Sequence, residues 1–452
     1  MGDRQSGTES NIAELLARAQ KPGEDALRLH PLYHGKLEVT PKCPINSYED
    51  FSVWYSPGVA APCRDIAAHP EQVFAHTNKA NFIAVISDGT RVLGLGDIGP
   101  HAALPVMEGK AILFKYLGGV DAFPICLATK DPDELIQACK WLEPSFGGIN
   151  LEDIAKPKCF YILQRLRKEM KIPVWHDDQQ GTAAVTLAGL LNALRVVGKK
   201  KETARLALIG AGAANVAVVR ILIAAGFPPD QIIMVDSRGI LHRGRDDLRT
   251  PENEFKWRLC QETNDEQRCG GIADALRGAD VCVALAKSGP GVIKPEWIAA
   301  MAKDAIVFAC ANPVPEIWPW EAKQAGARIV ASGRSDFPNQ VNNSLGFPAI
   351  FRGVIDVAAS TITDEMCIAD AEELARCAEI KGLSEEHILP TMDEWEIYPR
   401  QAAAVALKAM EQGVAKKRST KLALIENATR IIRRAQAQTK LLMREGIIAP
   451  AV

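Results

Sequence analysis

The sequence predicts an α/β protein: an N-terminal α/β domain, a second domain built on a parallel sheet, and a closing run of helices. Three observations carry this reading. Short apolar runs alternate with helix-length segments between residues 205 and 333. A glycine turn stands where the first of these runs meets a helix. The flanking segments differ from that stretch, with glycine-rich polar loops before it and helical periodicity from about residue 352 onward. Alternation of strand and helix at this spacing implies parallel strands covered on both faces. We place the domains at 1–195, 196–352 and 353–452, the first break being the polar stretch Val196–Glu202.

Composition bounds the function. A chain of 452 residues has room for two or three domains. With 47% hydrophobic and 24% charged residues it can build an ordinary core, which excludes a disordered or collagen-like protein. Lys plus Arg number 53 and Asp plus Glu 55, so no bulk basicity exists to hold a nucleic-acid backbone. The eleven cysteines form no C-x-x-C pair and several sit in apolar runs, which fits buried thiols in a reducing compartment. No signal core and no apolar stretch of ~18 residues occurs, so a soluble cytoplasmic protein without membrane contact is expected. Met1-Gly2 with Ser6 fits a loose acylation pattern, read as coincidence.

Taken in order, the chain opens with an apolar helix, NIAELLARAQ. His30 and His34 have the i, i+4 spacing of a metal pair, but Pro31 breaks the helix between them and they read as loop residues. The loop Ser87–Pro100 is dense in glycine and leads into a helical segment with Lys110 and Lys115. Glu152 and Asp153 stand at a probable helix start. Asp177 and Asp178 follow an apolar strand, IPVW, and precede an apolar helix. A strand-to-helix junction fixes side chains while leaving them facing open space. Either acidic pair alone reads equally well as helix capping. Two such pairs, of hard oxygen donors, favour a site for Mg²⁺ or Mn²⁺.

The strand RLALIG runs into Gly210-Ala211-Gly212-Ala213-Ala214-Asn215, which opens a helix. The first glycine permits the turn and the second lets backbone N–H groups approach a pyrophosphate. Asn215 occupies the position where a third small residue is usual, implying a wider helix–strand approach or a side-chain contact. The second strand ends at Asp236, where an acid can bond the adenosine ribose hydroxyls. This predicts a Rossmann-like, NAD(P)-binding domain. A carboxylate at Asp236 favours NAD, with NADP the alternative because Arg238, His242, Arg243 and Arg245 lie just beyond.

Eight stretches occur together in order: Tyr55-Ser56-Pro57-Gly58-Val59-Ala60, GTRVLGLGDIGP, EGKAILFK, INLEDI, HDDQQGTAA, GAGAAN, ANP and NQVNNSLGFPAIFRG. In these the sequence resembles the malic enzymes of the shorter, microbial type, over about residues 50–360. The resemblance implies that the N-terminal domain is malic-type. It implies that Glu152, Asp153 and Asp178 hold the divalent metal and that Lys110, beside Asp177, accepts the hydroxyl proton. It further implies that Tyr55 protonates the enolate, that Arg91 pairs with a malate carboxylate, and that Asn312 and Asn343 line substrate and nicotinamide. Asn342 is adjacent to that role. Ser56, often Thr in the family, and Asn215 are departures that leave the chemistry untouched. The implied reaction is oxidative decarboxylation of L-malate to pyruvate and CO₂, by a homodimer or higher homo-oligomer. A lysine serves as base only with its pKa brought toward neutrality, which a nearby cation promotes. The alternative readings are a malolactic-type lyase releasing lactate and a non-catalytic metabolite-binding protein.

Overall fold

The computed structural model describes residues 20–451. Most of the N-terminal apolar helix expected at 11–20 and the Met1–Ser6 pattern lie outside the described residues. Residues 44–436 form one compact unit, while 20–43 and 437–451 belong to a second, small one. In the small unit the helix runs from 20 to 33. Pro31 therefore does not end it; in a last turn, proline removes one hydrogen bond without breaking the helix. There Tyr33 Oη donates to Ala449 O at 2.7 Å.

The larger unit contains two sheets. The first has strands β1 (Phe82–Ser87), β2 (Asp121–Cys126), β3 (Gly148–Leu151) and β4 (Val174–His176) in the order β2-β1-β3-β4, all parallel. Ile86 is in register with Leu151, and Leu151 with His176. The residues after these strands, among them Glu152 and Asp177, therefore emerge at one edge. The second sheet holds β5 (Leu206–Ile209), β6 (Ile232–Asp236), β7 (Gly239–Ile240), β8 (Val281–Ala284), β9 (Ile306–Ala309) and β10 (Ile329–Ser332), ordered β10-β9-β8-β5-β6-β7. The strands read from the sequence are all present. The antiparallel edge strand β7 was not foreseen, because two residues carry no alternation pattern.

The second sheet shows why these runs are strands. Leu206, Leu208, Met234, Val283 and Phe308 enter one core, whereas Ala207, Ile209, Val235, Cys282 and Val307 enter another on the opposite face. Period-2 geometry sends consecutive apolar residues to opposite sides, so a continuous apolar run fits a strand covered twice. From β5 the chain turns first to β6 and later to β8 on the other side. That reversal makes the end of β5 the switch point at which such sheets bind ligands.

Of the helices, α1 (Ala60–Ala68) precedes the first sheet and α2 (Gly99–Gly118) follows β1. Next come α3 (Pro132–Leu142), α4 (Lys158–Glu169) and α5 (Thr182–Val197). α3 begins with Pro132 after Asp131, whose carboxylate accepts from the N–H groups of Asp133 and Glu134, as N-caps do. In the second sheet α6 (Ala213–Ala224) follows β5 and α7 (Glu254–Glu262) follows β7. Past β10, Phe347–Asp356 is also helical, and its Phe347 and Phe351 rings pack on Phe114 of α2 at 4.5 and 5.2 Å. This helix thus returns to the element that follows β1. All eleven cysteines are free. No helix among the described residues is long and apolar enough to cross a membrane.

Candidate active site

The edge where β1, β3 and β4 end collects the acids. Asp177 and Asp178 lie in a π-type turn, Asp177–Gly181, between β4 and α5. Such a turn widens the backbone and is frequent at functional sites. Asp153 has φ 55°, a left-handed conformation that Asp tolerates better than most residues. Three bonds hold it: Arg91 N donates to its carbonyl at 3.0 Å, Leu93 N to its Oδ1 at 3.2 Å, and its own N–H to Asp178 Oδ2 at 2.8 Å. Glu152, Asp153 and Asp178 each turn an oxygen into one space, all within 4.8 Å of one another. Helix capping does not account for Glu152 and Asp153, because the next helix begins only at Lys158.

Lys110 enters from α2. Its Nζ lies 2.5 Å from Asp177 Oδ2 and 3.1 Å from Glu152 Oε1, and 4.3 Å from the centre of the Phe347 ring. Asn343 Nδ2 donates to the same Asp177 oxygen, while Trp175 Nε1 donates to Oδ1 at 3.0 Å. Asn150 Nδ2 donates to Glu152 Oε2 at 2.9 Å. Lys115, by contrast, pairs with Asp121 at 2.7 Å away from this group.

Burial governs the charges. It pushes Glu152 well above the usual carboxylate range, opposed by Lys110 and reinforced by Asp177 and Asp178. Burial and then Asp178 push Asp153 up to about 8. Asp178 is also raised by burial, against the pull of Lys110. For Lys110, burial lowers the pKa, but Asp177 and Glu152 outweigh it and hold the ammonium above the ordinary lysine range. This direction is opposite to the lowering expected of a base. Asp153 Oδ2 is buried without a hydrogen-bond partner among the described residues. Clustered, under-compensated hard oxygens with one acceptor unspent fit a divalent cation.

The remaining expected residues divide. Arg91 is exposed, its Nη1 bonded to Leu93 O at 3.0 Å, and its charge acts on Asp153 and Asp178. Asn312 lies on the loop after β9, where its carbonyl would meet a Cβ on Gly94 of the Arg91 loop at 2.5 Å. Asn342 accepts from Ser344 N at 2.9 Å and donates its Nδ2 to Gly333 O at 3.4 Å, whereas Asn343 donates to Asp177. Tyr55 is not bonded to this group: it is 72% exposed, and none of residues 48–68 is buried.

The glycine turn has the expected form. Gly210 has φ +100°, and an added Cβ would stand 2.6 Å from Leu285 O. Gly212 opens α6, and a Cβ there would meet nothing within 4 Å. Space over the second glycine, beside the N–H groups of Ala213 and Ala214, suits a pyrophosphate. Asn215 keeps the helix close by donating its Nδ2 to Ile209 O at 3.0 Å and Gly210 O at 2.8 Å. Asp236 ends β6 in ion pairs with Arg245 at 3.1 Å and Lys256 at 2.9 Å. Arg243 instead pairs with Asp265 at 2.9 Å.

Sequence reasoning passed over several supports. Asn150 and Trp175 lay inside or beside motifs already singled out, where alternation past a strand end was the signal. Glu316 is fully buried, its Oε1 accepting from Ala286 N at 2.8 Å and its Oε2 from Ala311 N at 3.0 Å. It thereby joins the loops after β8 and β9, and burial pushes it up to about 7. A carboxylate next to the ANP stretch was the available clue.

Comparison with known proteins identifies the family. The malic enzyme N-terminal domain matches residues 34–167, and the malic enzyme NAD binding domain matches residues 179–412. The bifunctional malic/malolactic enzyme of Bacillus subtilis (strain 168) is 49% identical over 87% of this chain and 94% of its own. The NAD-dependent malic enzyme of Geobacillus stearothermophilus is 50% identical over 85% of this chain and 78% of its own. The crystal structure of Entamoeba histolytica malic enzyme superposes with a TM-score of 0.94 at 46% identity, covering 96% of this chain and 91% of that one. With both domains matched and relatives of this identity spanning most of its length, the chain belongs to the malic enzyme family.

Proposed function

We propose that Lys110, Asp177 and Tyr55 carry out the oxidative decarboxylation of L-malate to pyruvate and CO₂, the reaction of this NAD(P)-dependent family. Glu152, Asp153 and Asp178 are the residues to hold Mg²⁺ or Mn²⁺, and Gly210, Gly212, Ala213, Ala214 and Asn215 form the dinucleotide turn. The observation that carries this reading is the buried contact of Lys110 with Asp177 and Glu152, next to the acidic triad.

Held by Glu152, Asp153 and Asp178, a divalent cation would supply Lewis acidity at the reacting oxygen, and a dinucleotide at the Gly210 turn would supply the hydride acceptor. Arg91 pairs with a malate carboxylate, and Asn312 and Asn343 line the substrate. Lys110 takes the hydroxyl proton. Asp177 holds its ammonium at 2.5 Å, steadied by Trp175 and Asn343. Lys110 becomes competent as a base once positive charge among the acids offsets Glu152. After CO₂ leaves, Tyr55 protonates C3 of the enolate to give pyruvate. The exposure of Tyr55, Phe51, Val53 and Trp54 on one stretch supports a homodimer or higher oligomer that covers it. The free cysteines support a reducing, cytoplasmic setting.

The test is purified protein with L-malate and Mn²⁺, given NAD or NADP in turn. The expected result is reduced nicotinamide and pyruvate in equal amounts. Absence of turnover with both dinucleotides would overturn the assignment. A malolactic activity is the second reading, favoured by the 49% identical relative whose name carries both reactions. Lactate formed without net reduced cofactor would identify it.

A further inference from the structure

The end of β6 was expected to offer a free carboxylate to the adenosine ribose. Asp236 is instead fully engaged. Its Oδ1 accepts from Arg238 N at 2.9 Å and Arg245 Nη1 at 3.1 Å. Its Oδ2 accepts from Arg245 Nη2 at 3.2 Å and Lys256 Nζ at 2.9 Å. A carboxylate has about four acceptor directions, so none remains for a ribose hydroxyl. The side chain is only 5% exposed, whereas Lys256 is 18% and Arg238 72% exposed.

A fourth cation arrives from the first sheet. Lys156, three residues beyond Asp153, donates to Ala211 O in the glycine turn at 3.1 Å. Burial holds its ammonium below the ordinary lysine range, and Lys256 adds to the effect while Asp236 opposes it. The two lysines therefore feel each other across the space between the turn and β6. A second carboxylate, Asp247, is bonded to Arg245 at 2.7 Å and Arg238 at 3.1 Å. Among these six residues, four cations stand against two carboxylates. Each ammonium has three donors. Lys156 and Lys256 each show one side-chain hydrogen bond among the described residues, to Ala211 O and to Asp236.

We propose that Lys156 and Lys256, set over a neutralised Asp236, recognise a phosphate monoester on the adenosine ribose, so that this chain selects the 2′-phosphorylated dinucleotide, NADP. The inference rests on the reading of the Gly210 turn as the dinucleotide site. Asp236 serves here as the counterion that orders the cations, not as a ligand for the ribose. A phosphate dianion supplies the acceptors that the two ammonium groups lack, and charge-assisted bonds of this kind are the stronger sort.

The experiment is calorimetric titration of the intact protein with adenosine 2′,5′-bisphosphate and with adenosine 5′-monophosphate, followed by NADP and NAD. The fragments differ only in the 2′-phosphate. The bisphosphate is expected to bind at least about tenfold more tightly, and NADP to exceed NAD in the same sense. Lys156→Gln and Lys256→Gln should each remove most of that difference while 5′-monophosphate binding changes less than about twofold, and Lys256→Arg should retain it. Equal affinity for the two fragments overturns the phosphate site and leaves the dinucleotide reading standing. An equal loss for both fragments in the lysine variants also overturns it, assigning the lysines to the shared 5′-phosphate side. If neither fragment and neither dinucleotide binds, both readings fall.

Discussion

Asp178 and Asp236 both stand at the C-terminal ends of parallel strands, and their surroundings are opposite. Asp178, itself half-exposed, stands beside the buried Glu152, Asp153 and Asp177, against which the chain sets Lys110 and the more distant Arg91. Asp236 stands among Arg238, Arg245 and Lys256. One site lacks positive charge and the other has too much. What a carboxylate at a strand end can do is decided by its company: the first arrangement suits a cation and the second an anion.

The largest effect that can break this comparison is at Lys110. Lys110→Ala removes the proposed base and the ammonium bonded to Asp177 and Glu152, so kcat should fall about 10²–10⁴-fold with saturating malate and Mn²⁺. Turnover at the wild-type rate would remove Lys110 from the reaction. Next is the acidic triad itself. Manganese at about 100 times its Kd should add about 2.7 kcal/mol to wild-type stability. In Asp178→Asn that gain should shrink sharply, while the metal-free variant unfolds at no lower denaturant concentration than wild type. An undiminished Mn²⁺ response would show that Asp178 is no ligand.

Glu316 supplies a third case, a buried carboxylate held by two backbone N–H groups, with no cation paired to it among the described residues. Its folded pKa of about 7 lies above the ordinary 4.5. Protonated Glu316 therefore favours folding, fully below about 4.5, and that contribution is lost as pH rises through about 7; it amounts to about 3 kcal/mol at most. Glu316→Gln cannot titrate. The stability of wild type relative to this variant should accordingly decline between pH 5 and pH 8 in denaturant unfolding. A difference independent of pH would mean that Glu316 ionises like an exposed acid.

Much of this was legible in the chain. The strands of the second sheet were visible because each is a short apolar run, and the acids were visible because Glu152-Asp153 and Asp177-Asp178 are adjacent pairs. Charge balance was not. Lys110 reaches Asp177 across 67 residues, and Lys156 meets the glycine turn 55 residues on. Such partners are chosen by the register of β1, β3 and β4 and by the packing of one sheet near the other, neither of which leaves a local pattern. Asp236 shows the consequence: residue type and position suggested a ribose ligand, while the donors that fill it come from a hairpin and from α7. Tyr55 shows the opposite gap, a residue named by resemblance that the chain leaves exposed.

The two glycines of the dinucleotide turn answer to different demands. Gly210 is required by the chain itself, since its left-handed backbone and the Leu285 carbonyl leave no room for a methyl group. Gly212 has φ −88° and ψ −178°, an extended conformation open to any residue, and faces empty space. In a library of variants sorted for folding alone, position 212 would accept alanine and position 210 would not. Sorted for cofactor capture, both would demand glycine. Two positions apart, the sequence keeps one record of how the chain folds and another of what it binds.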